Sequence, residues 1–314
     1  MPQTRPAPDT VCILLALHNG AKNLEAQLDS YSSQSHAAWS LIVSDDGSTD
    51  AGPNIVRGFA KQHPNRDIRQ VEGPGKGFAA NFLSLLRAVD PQVPFAALSD
   101  QDDVWLENKL KRAVSALLAL PGDRPALYCS RTYICDDTLH SNGMSPLFKK
   151  PPGFENALVQ NIAGGNTMVV NRVGLDLLQA ASPLAAGAVC HDWWMYQMIT
   201  GAGGTVIYDA KPSLKYRQHE DNLIGANNTT RASLSRLKAM MQGTFADWNS
   251  RNIATLRACD AFLTPKNRSL LERFARGRSQ NPWGRVQTIR TSGIYRQTTR
   301  GHTALLMAAL LGKI

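Results

Sequence analysis

The sequence predicts an α/β fold: a Rossmann-like, largely parallel sheet flanked by helices and followed by a basic helical C-terminal extension. Three observations carry this. Short apolar runs bounded by turn residues alternate with helix-like segments through the first half of the chain, as in a largely parallel sheet with crossover helices. Polar or glycine-rich loops follow the apolar runs, where open α/β sheets bind their ligands. The last third is helical in pattern and strongly basic.

Each element follows from its residues. VCILLAL (Val11 to Leu17) reads as a buried strand; HNG and a helix with Leu24, Leu28 and Tyr31 on one face come next. SLIVS (Ser40 to Ser44) is a second strand, followed by DDGSTD and a helix carrying Ile55, Val56 and Phe59. Residues 68–72 suggest a third strand before the cluster GPGKG and a helix with Phe78, Phe82, Leu85 and Leu86 inward. VPFAALS (Val93 to Ser99) is the fourth strand, and DQDD stands at its end. A helix from Leu106 to about Leu120 is expected next, then a strand or hairpin in ALYCSRTYICD. Residues 141–165, rich in Gly, Pro and Asn, read as a long loop. GNTMVV is a strand with a helix from Arg172, CHDWWMYQMI a helix entry, GGTVIYD a strand and SLKYRQH a short last strand. The pattern from Ser233 is helical. These divisions give a domain over 1–228 and an extension over 229–314.

A chain of 314 residues with 43% hydrophobic residues buries a substantial core, which excludes wholesale disorder. The five cysteines are scattered without CxxC spacing and read as reduced thiols. No apolar run is long enough to cross a bilayer, and MPQTRPAPDT lacks a signal-peptide core, so a cytoplasmic location is expected. The formal charge of +9 is uneven: residues 1–210 hold 16 Lys/Arg and 20 Asp/Glu, whereas 211–314 hold 18 and 5. With the amphipathic positions Leu234, Leu237 and Met241 and the apolar end ALLMAALL, this predicts peripheral contact with the inner face of the cytoplasmic membrane. Nucleic acid is not expected, since no binding module surrounds the basic residues. GPGKG completes neither a Walker motif nor GxGxxG.

Asp100, Asp102 and Asp103 crowd carboxylates at a strand end. Their repulsion is relieved by a cation, and hard oxygens suit Mg²⁺ or Mn²⁺ held jointly with phosphates. One of them could instead cap the following helix. Asp45, Asp46 and Asp50 suit either a turn and cap or a hydrogen bond to a base or ribose. His18 and His219 are a nucleobase partner and a metal ligand in one reading and incidental in the other. HDWW places Asp192 beside Trp193 and Trp194: either a helix-start acid with core tryptophans, or a carboxylate beside platforms for sugar rings.

Taken together, HNG, SDDGSTD, GPGKGFAANF, DQDDVW, HDWW and YRQH resemble family 2 glycosyltransferases of the GT-A fold, especially bacterial rhamnosyltransferase-like members. The resemblance spans roughly residues 10–225. It implies a nucleotide diphosphate sugar donor and a glycan or lipid-linked acceptor. Ala16, His18, Asn19 and Asp46 would hold the nucleoside, Lys76 and Asn81 line the donor side, and Asp100 lie toward the ribose. Asp102 would bind Mn²⁺ or Mg²⁺, with His219 as a late metal or diphosphate contact. Asp192 would be the base of an inverting transfer. Ala16, Leu17, His18 and Asn19 stand where many relatives have Thr-x-Tyr-Asn, so histidine replaces the usual stacking tyrosine. Glu107 stands where relatives often have proline. The rivals are a sugar nucleotidyltransferase, whose glycine- and arginine-rich loop is missing after the first strand, and a degenerate carbohydrate-binding protein, which would not preserve DQDD and HDWW.

Overall fold

The computed structural model describes residues 7–218 and 243–314. His219 and the positions Leu234, Leu237 and Met241 lie outside the described residues, as does the boundary between 228 and 229. The strands are β1 (Val11–Leu17), β2 (Trp39–Asp45), β3 (Ile68–Glu72), β4 (Phe95–Ser99), β5 (Val104–Trp105), β6 (Ala126–Ser130), β7 (Tyr133–Cys135), β8 (Ser141–Met144), β9 (Val169–Asn171), β10 (Thr205–Asp209) and β11 (Leu214–Arg217). The helices are α1 (Ala21–Ser32), α2 (Gly52–Gln62), α3 (Phe78–Ala88), α4 (Lys109–Leu118), α5 (Phe154–Ala157), α6 (Arg172–Ala181), α7 (His191–Gly201), α8 (Thr244–Ala258), α9 (Pro265–Gly277), α10 (Pro282–Thr291) and α11 (Thr299–Leu310).

Seven strands form the main sheet in the order β10-β6-β9-β4-β1-β2-β3. β1 runs parallel to β2 and β4, and β2 to β3. β9 is antiparallel to β4 and β6, which makes the sheet mixed. The carboxyl ends of β1 to β4 therefore share one edge, where the predicted polar loops meet. A smaller sheet, β5-β11-β7-β8, adjoins the acidic loop through β5.

Both sheet faces are covered, so β1 is apolar at every position rather than alternating. Val11, Ile13, Leu15 and Leu17 face α1, α2 and α4, while Cys12 and Leu14 join the core under α3, α6 and α7. That second core continues into Ile253 and Leu256 of α8, Leu270 and Phe274 of α9, Ile289 of α10 and Leu305 of α11. Asn267 donates from Nδ2 to the carbonyls of Thr200 and Gly201, 3.0 Å each, which clamps α9 to the end of α7. The basic helices thus share the core of the sheet domain. Within ALLMAALL, Leu305, Ala308 and Ala309 point inward, while Met307 and Leu311 are exposed.

Two elements differ from the expected long loop over 141–165: β8 pairs with β7, and α5 makes one turn capped by the Tyr196 hydroxyl on Gly153. Neither carries enough residues for a periodicity to show. All five cysteines are buried and unpaired.

Candidate active site

Three loops are tied together at the sheet edge by side chains that reach from one to the next. After β1, Asn19 adopts a left-handed φ of 50°, which Asn tolerates better than most residues. Its Oδ1 accepts from the Thr49 amide at 2.8 Å, and its own amide donates to Ser48 Oγ at 3.0 Å. The exposed His18 has Nδ1 3.1 Å from the Asp46 carbonyl. Gln101, in the middle of the acidic motif, accepts from the His18 amide at 2.8 Å and donates to the His18 carbonyl at 3.0 Å. A Cβ on Gly20 would come within 2.5 Å of that Gln101 side chain, so glycine permits the pairing. Ala16 is half-buried at the end of β1.

Each carboxylate after β2 has its own task. Asp50 accepts from the amides of Ala21 and Gly52 and joins the starts of α1 and α2. Asp45 accepts from the Ser48 amide at 3.0 Å. Asp46 accepts from the amides of Gly75 at 2.6 Å and Gly77 at 2.9 Å, so its carboxylate fastens the glycine loop. Lys76 is carried exposed between those two anchors. Asp45, Arg57, Gln70 and Gly73 line a cleft of about 720 Å³ at this edge. Asn81 is 1% exposed and donates to the Ser44 carbonyl. Its burial removes it from the cleft wall, and it acts on the end of β2 from behind.

The acidic loop lies deeper. Asp103 is fully buried, with Oδ2 accepting from Asn166 Nδ2 at 2.7 Å. Lys109, also fully buried, donates to the Asn166 carbonyl at 2.6 Å and lies over the Trp105 ring. Burial opposes charge on both: the Asp103 carboxyl is pushed well above its ordinary range, and the Lys109 ammonium is brought down to about 7. Arg217, 6% exposed, donates from Nε to the Asp102 carbonyl at 3.0 Å and holds the loop from β11. Asp100 is raised to about 7, first by burial and then by the charges of Asp102 and Asp192.

The turn around Asn166 brings HDWW beside DQDD: Asn166 bonds the Asp103 carboxylate, and a Cβ on the adjacent Gly165 would stand 3.3 Å from the Asp192 Cβ. Asp192, at the start of α7, is 9% exposed, and its Oδ1 accepts from the Trp193 amide. Burial, and then the carboxylates of Asp100, Asp103, Asp102 and Asp192, push the Tyr216 phenol up. The surplus of negative charge fits a divalent cation held by Asp102. Mg²⁺ and Mn²⁺ commonly use one or two carboxylates plus substrate phosphates. Among the described residues, no group of three or more His, Cys, Asp or Glu side chains is placed to hold a metal ion.

The structure places the two tryptophans, expected beside a sugar, among packing residues. Trp193 and Trp194 are 5% and 1% exposed; Trp193 donates from Nε1 to the Ala157 carbonyl, and Trp194 lies in the core. Every residue of α7 is buried, so both rings are packing residues. The sequence reading missed Gln101, Lys109, Asn166, Tyr216 and Arg217 as parts of the site. YRQH was a signal for the last two, whereas nothing local marks Lys109 or Asn166.

A family model for glycosyl transferase family 2 matches residues 12–173. The dTDP-rhamnosyl transferase RfbG of Shigella flexneri is 29% identical over 264 residues, covering 79% of this chain and 86% of that protein. The putative teichuronic acid biosynthesis glycosyltransferase TuaG of Bacillus subtilis is 25% identical, covering 52% of this chain and 62% of that one. Among solved structures, the mannosyltransferase PcManGT of Pyrobaculum calidifontis, in complex with GDP-Man and Mn²⁺, is 18% identical with a TM-score of 0.50 and covers 99% of this chain and 88% of that one. Staphylococcus aureus TarS in complex with UDP-GlcNAc is 15% identical with a TM-score of 0.51 and covers 91% and 93%. Those two likenesses show the fold, which is GT-A. With its family model extending over half the chain, this protein belongs to glycosyltransferase family 2.

Proposed function

We propose that the protein transfers a sugar, rhamnose by its likeness to RfbG, from a nucleotide diphosphate donor to a hydroxyl of a glycan or lipid-linked acceptor, with inversion. The observation that carries this reading is the approach of the acidic loop and the α7 start across one buried turn, where Asn166 bonds the Asp103 carboxylate and Gly165 lies against Asp192. The loops after β1 and β2 receive the nucleoside through Ala16, His18, Asn19 and Asp46, and the Asp46 carboxylate also sets the glycine loop that carries Lys76 toward the diphosphate. Asp102 would hold a divalent cation, which when bound supplies charge stabilisation for the departing diphosphate, and Asp100 lies toward the ribose. His219 remains a candidate contact to it.

Asp192 takes the acceptor proton. An alcohol is a poor nucleophile until a base within hydrogen-bond reach accepts its proton as attack proceeds. The acidic-loop carboxylates face the donor side, so the carboxylate at the α7 start is the one left to face an acceptor. The transition state has oxocarbenium character, as in other glycosyl transfers, and one displacement inverts the anomeric centre.

The basic helices attach the enzyme to the inner face of the cytoplasmic membrane, where a lipid-linked acceptor is met. No Asp or Glu follows Glu272, whereas eight Lys and Arg residues do. Trp283 is 76% exposed and Leu311 51%, both beside the junction where Arg285 donates to the Ala309 and Leu310 carbonyls. Among the described residues, no helix is long and apolar enough to cross a membrane.

Thermal melting with dTDP-rhamnose, UDP-GlcNAc and GDP-mannose, each with and without Mn²⁺, tests the donor reading. Ligand at about a hundred times its Kd stabilises by about 2.7 kcal/mol, a rise of several degrees. The reading expects such a rise with one nucleotide and Mn²⁺ together. An unchanged melting temperature under all six conditions rejects it.

A further inference from the structure

The buried turn Gly165–Thr167 touches both halves of the site and has no part in the transfer as described so far. On one side Asn166 joins Asp103 and Lys109: Nδ2 donates to the Asp103 carboxylate at 2.7 Å, and the backbone carbonyl accepts from Lys109 Nζ at 2.6 Å. On the other side Gly165 lies against the start of α7. A Cβ there would stand 2.3 Å from His191 Nε2 and 3.3 Å from the Asp192 Cβ. The imidazole has little room to retreat, because it is 4% exposed, stacks on Phe82 at 3.9 Å between ring centroids and meets Phe78 edge-on. The turn is also fixed to the main sheet, where the Leu98 amide donates to the Met168 carbonyl at 3.0 Å.

We infer that this turn is a positioning spacer: Asn166 fixes it to the acidic loop, and the missing side chain of Gly165 sets how closely His191, and with it Asp192, approaches that loop. Gly165 and Asn166 are positioning residues and act through their neighbours. Any side chain at 165 drives the first residues of α7 away from the acidic loop while leaving the β1, β2 and glycine loops in place. Proton transfer and attack require close alignment, and a displacement of about an ångström costs up to about a hundredfold in rate. Nucleotide binding does not require that alignment. The inference rests on the reading of Asp192 as the base.

The test compares Gly165→Ala, Gly165→Ala with His191→Ala, and Asp192→Asn. Nucleoside diphosphate release is measured from a mixture of dTDP-rhamnose, UDP-GlcNAc and GDP-mannose, with Mn²⁺ and a cell-lipid extract as acceptor. Affinity for dTDP, UDP and GDP is measured alongside by calorimetry. Gly165→Ala is expected to lose at least about tenfold in turnover while nucleotide affinity stays within about twofold. Removing the imidazole in the double variant makes room for the new methyl group and recovers most of the loss, which a general folding defect would not allow. Unchanged turnover in Gly165→Ala, a parallel fall in nucleotide affinity, or a double variant no better than the single one overturns the inference. Normal turnover in Asp192→Asn overturns the base reading and the inference together. An inactive Asp192→Asn beside a normal Gly165→Ala overturns the inference alone.

Discussion

Asp102 and His191 show how a single residue's surroundings decide its role. Asp102 stands at a strand end with Asp100 and Asp192 close enough to raise the proton affinity of Asp100. Asp102→Ala is therefore expected to abolish metal-dependent nucleotide binding while the free protein still melts cooperatively, since the side chain is only half-buried at the end of the loop. Calorimetric titration of nucleotide with Mn²⁺ checks this, and undiminished binding speaks against the ligand role. His191 is held neutral: burial lowers its imidazole to about 4 from the ordinary 6.5, against a smaller opposite pull from Asp192. The unfolded chain then binds a proton that the folded chain refuses between those two values. This contribution to stability is complete above about pH 6.5 and is lost as pH falls toward 4, at most about 3 kcal/mol. Melting followed from pH 7 to pH 5 should show a smaller decline in His191→Gln than in the parent. Parallel declines would mean that the imidazole is protonated in the fold.

At the scale of elements, the strands and long helices were legible because their apolar positions repeat with a period set by the backbone. The site was legible only where its residues are neighbours in the chain, as in DQDD and HDWW. Tyr216, Lys109 and Asn166 join it through the placement of β11, α4 and the turn before β9, which no local pattern specifies. The two readings that the sequence leaves open for Trp193 and Trp194 have a related cause. A helix buried on every side shows no polar face, so the sequence cannot say which aromatic ring meets a ligand. The glycine loop is where an element and a single contact meet. Gly75 and Gly77 have φ of +65° and +84°, which side chains rarely adopt, and Asp46 accepts from both of their amides. Asp46→Ala should speed hydrogen exchange at Gly75 and Gly77 by about tenfold or more and weaken nucleotide binding about tenfold, since each lost charge-assisted bond is worth about 1.5–3 kcal/mol locally. Exchange at the parent rate would show that the loop holds its shape without the carboxylate.

Across the whole molecule, residues 243–314, which carry 12 of the 18 Lys and Arg of the basic tail, form helices that share a core with α6 and α7. Deleting 243–314 is expected to unfold the protein, because it uncovers the Ile253, Leu256 and Phe274 side of that core. Membrane contact is better tested by Trp283→Ser with Leu311→Ser, which changes only exposed positions. The pair should reduce sedimentation with phosphatidylglycerol vesicles several-fold, and high salt should release the parent protein as well. Equal sedimentation of parent and variant would remove this face from the account. The central claim is that a donor-binding acidic loop and an acceptor-facing base meet in one site, and Asp192→Asn tests it most directly, since the change keeps the shape and removes the basicity. With saturating donor, Mn²⁺ and acceptor, turnover should fall by about two to four powers of ten while donor affinity stays unchanged. Near-normal turnover, or a matching loss of donor affinity, would contradict it.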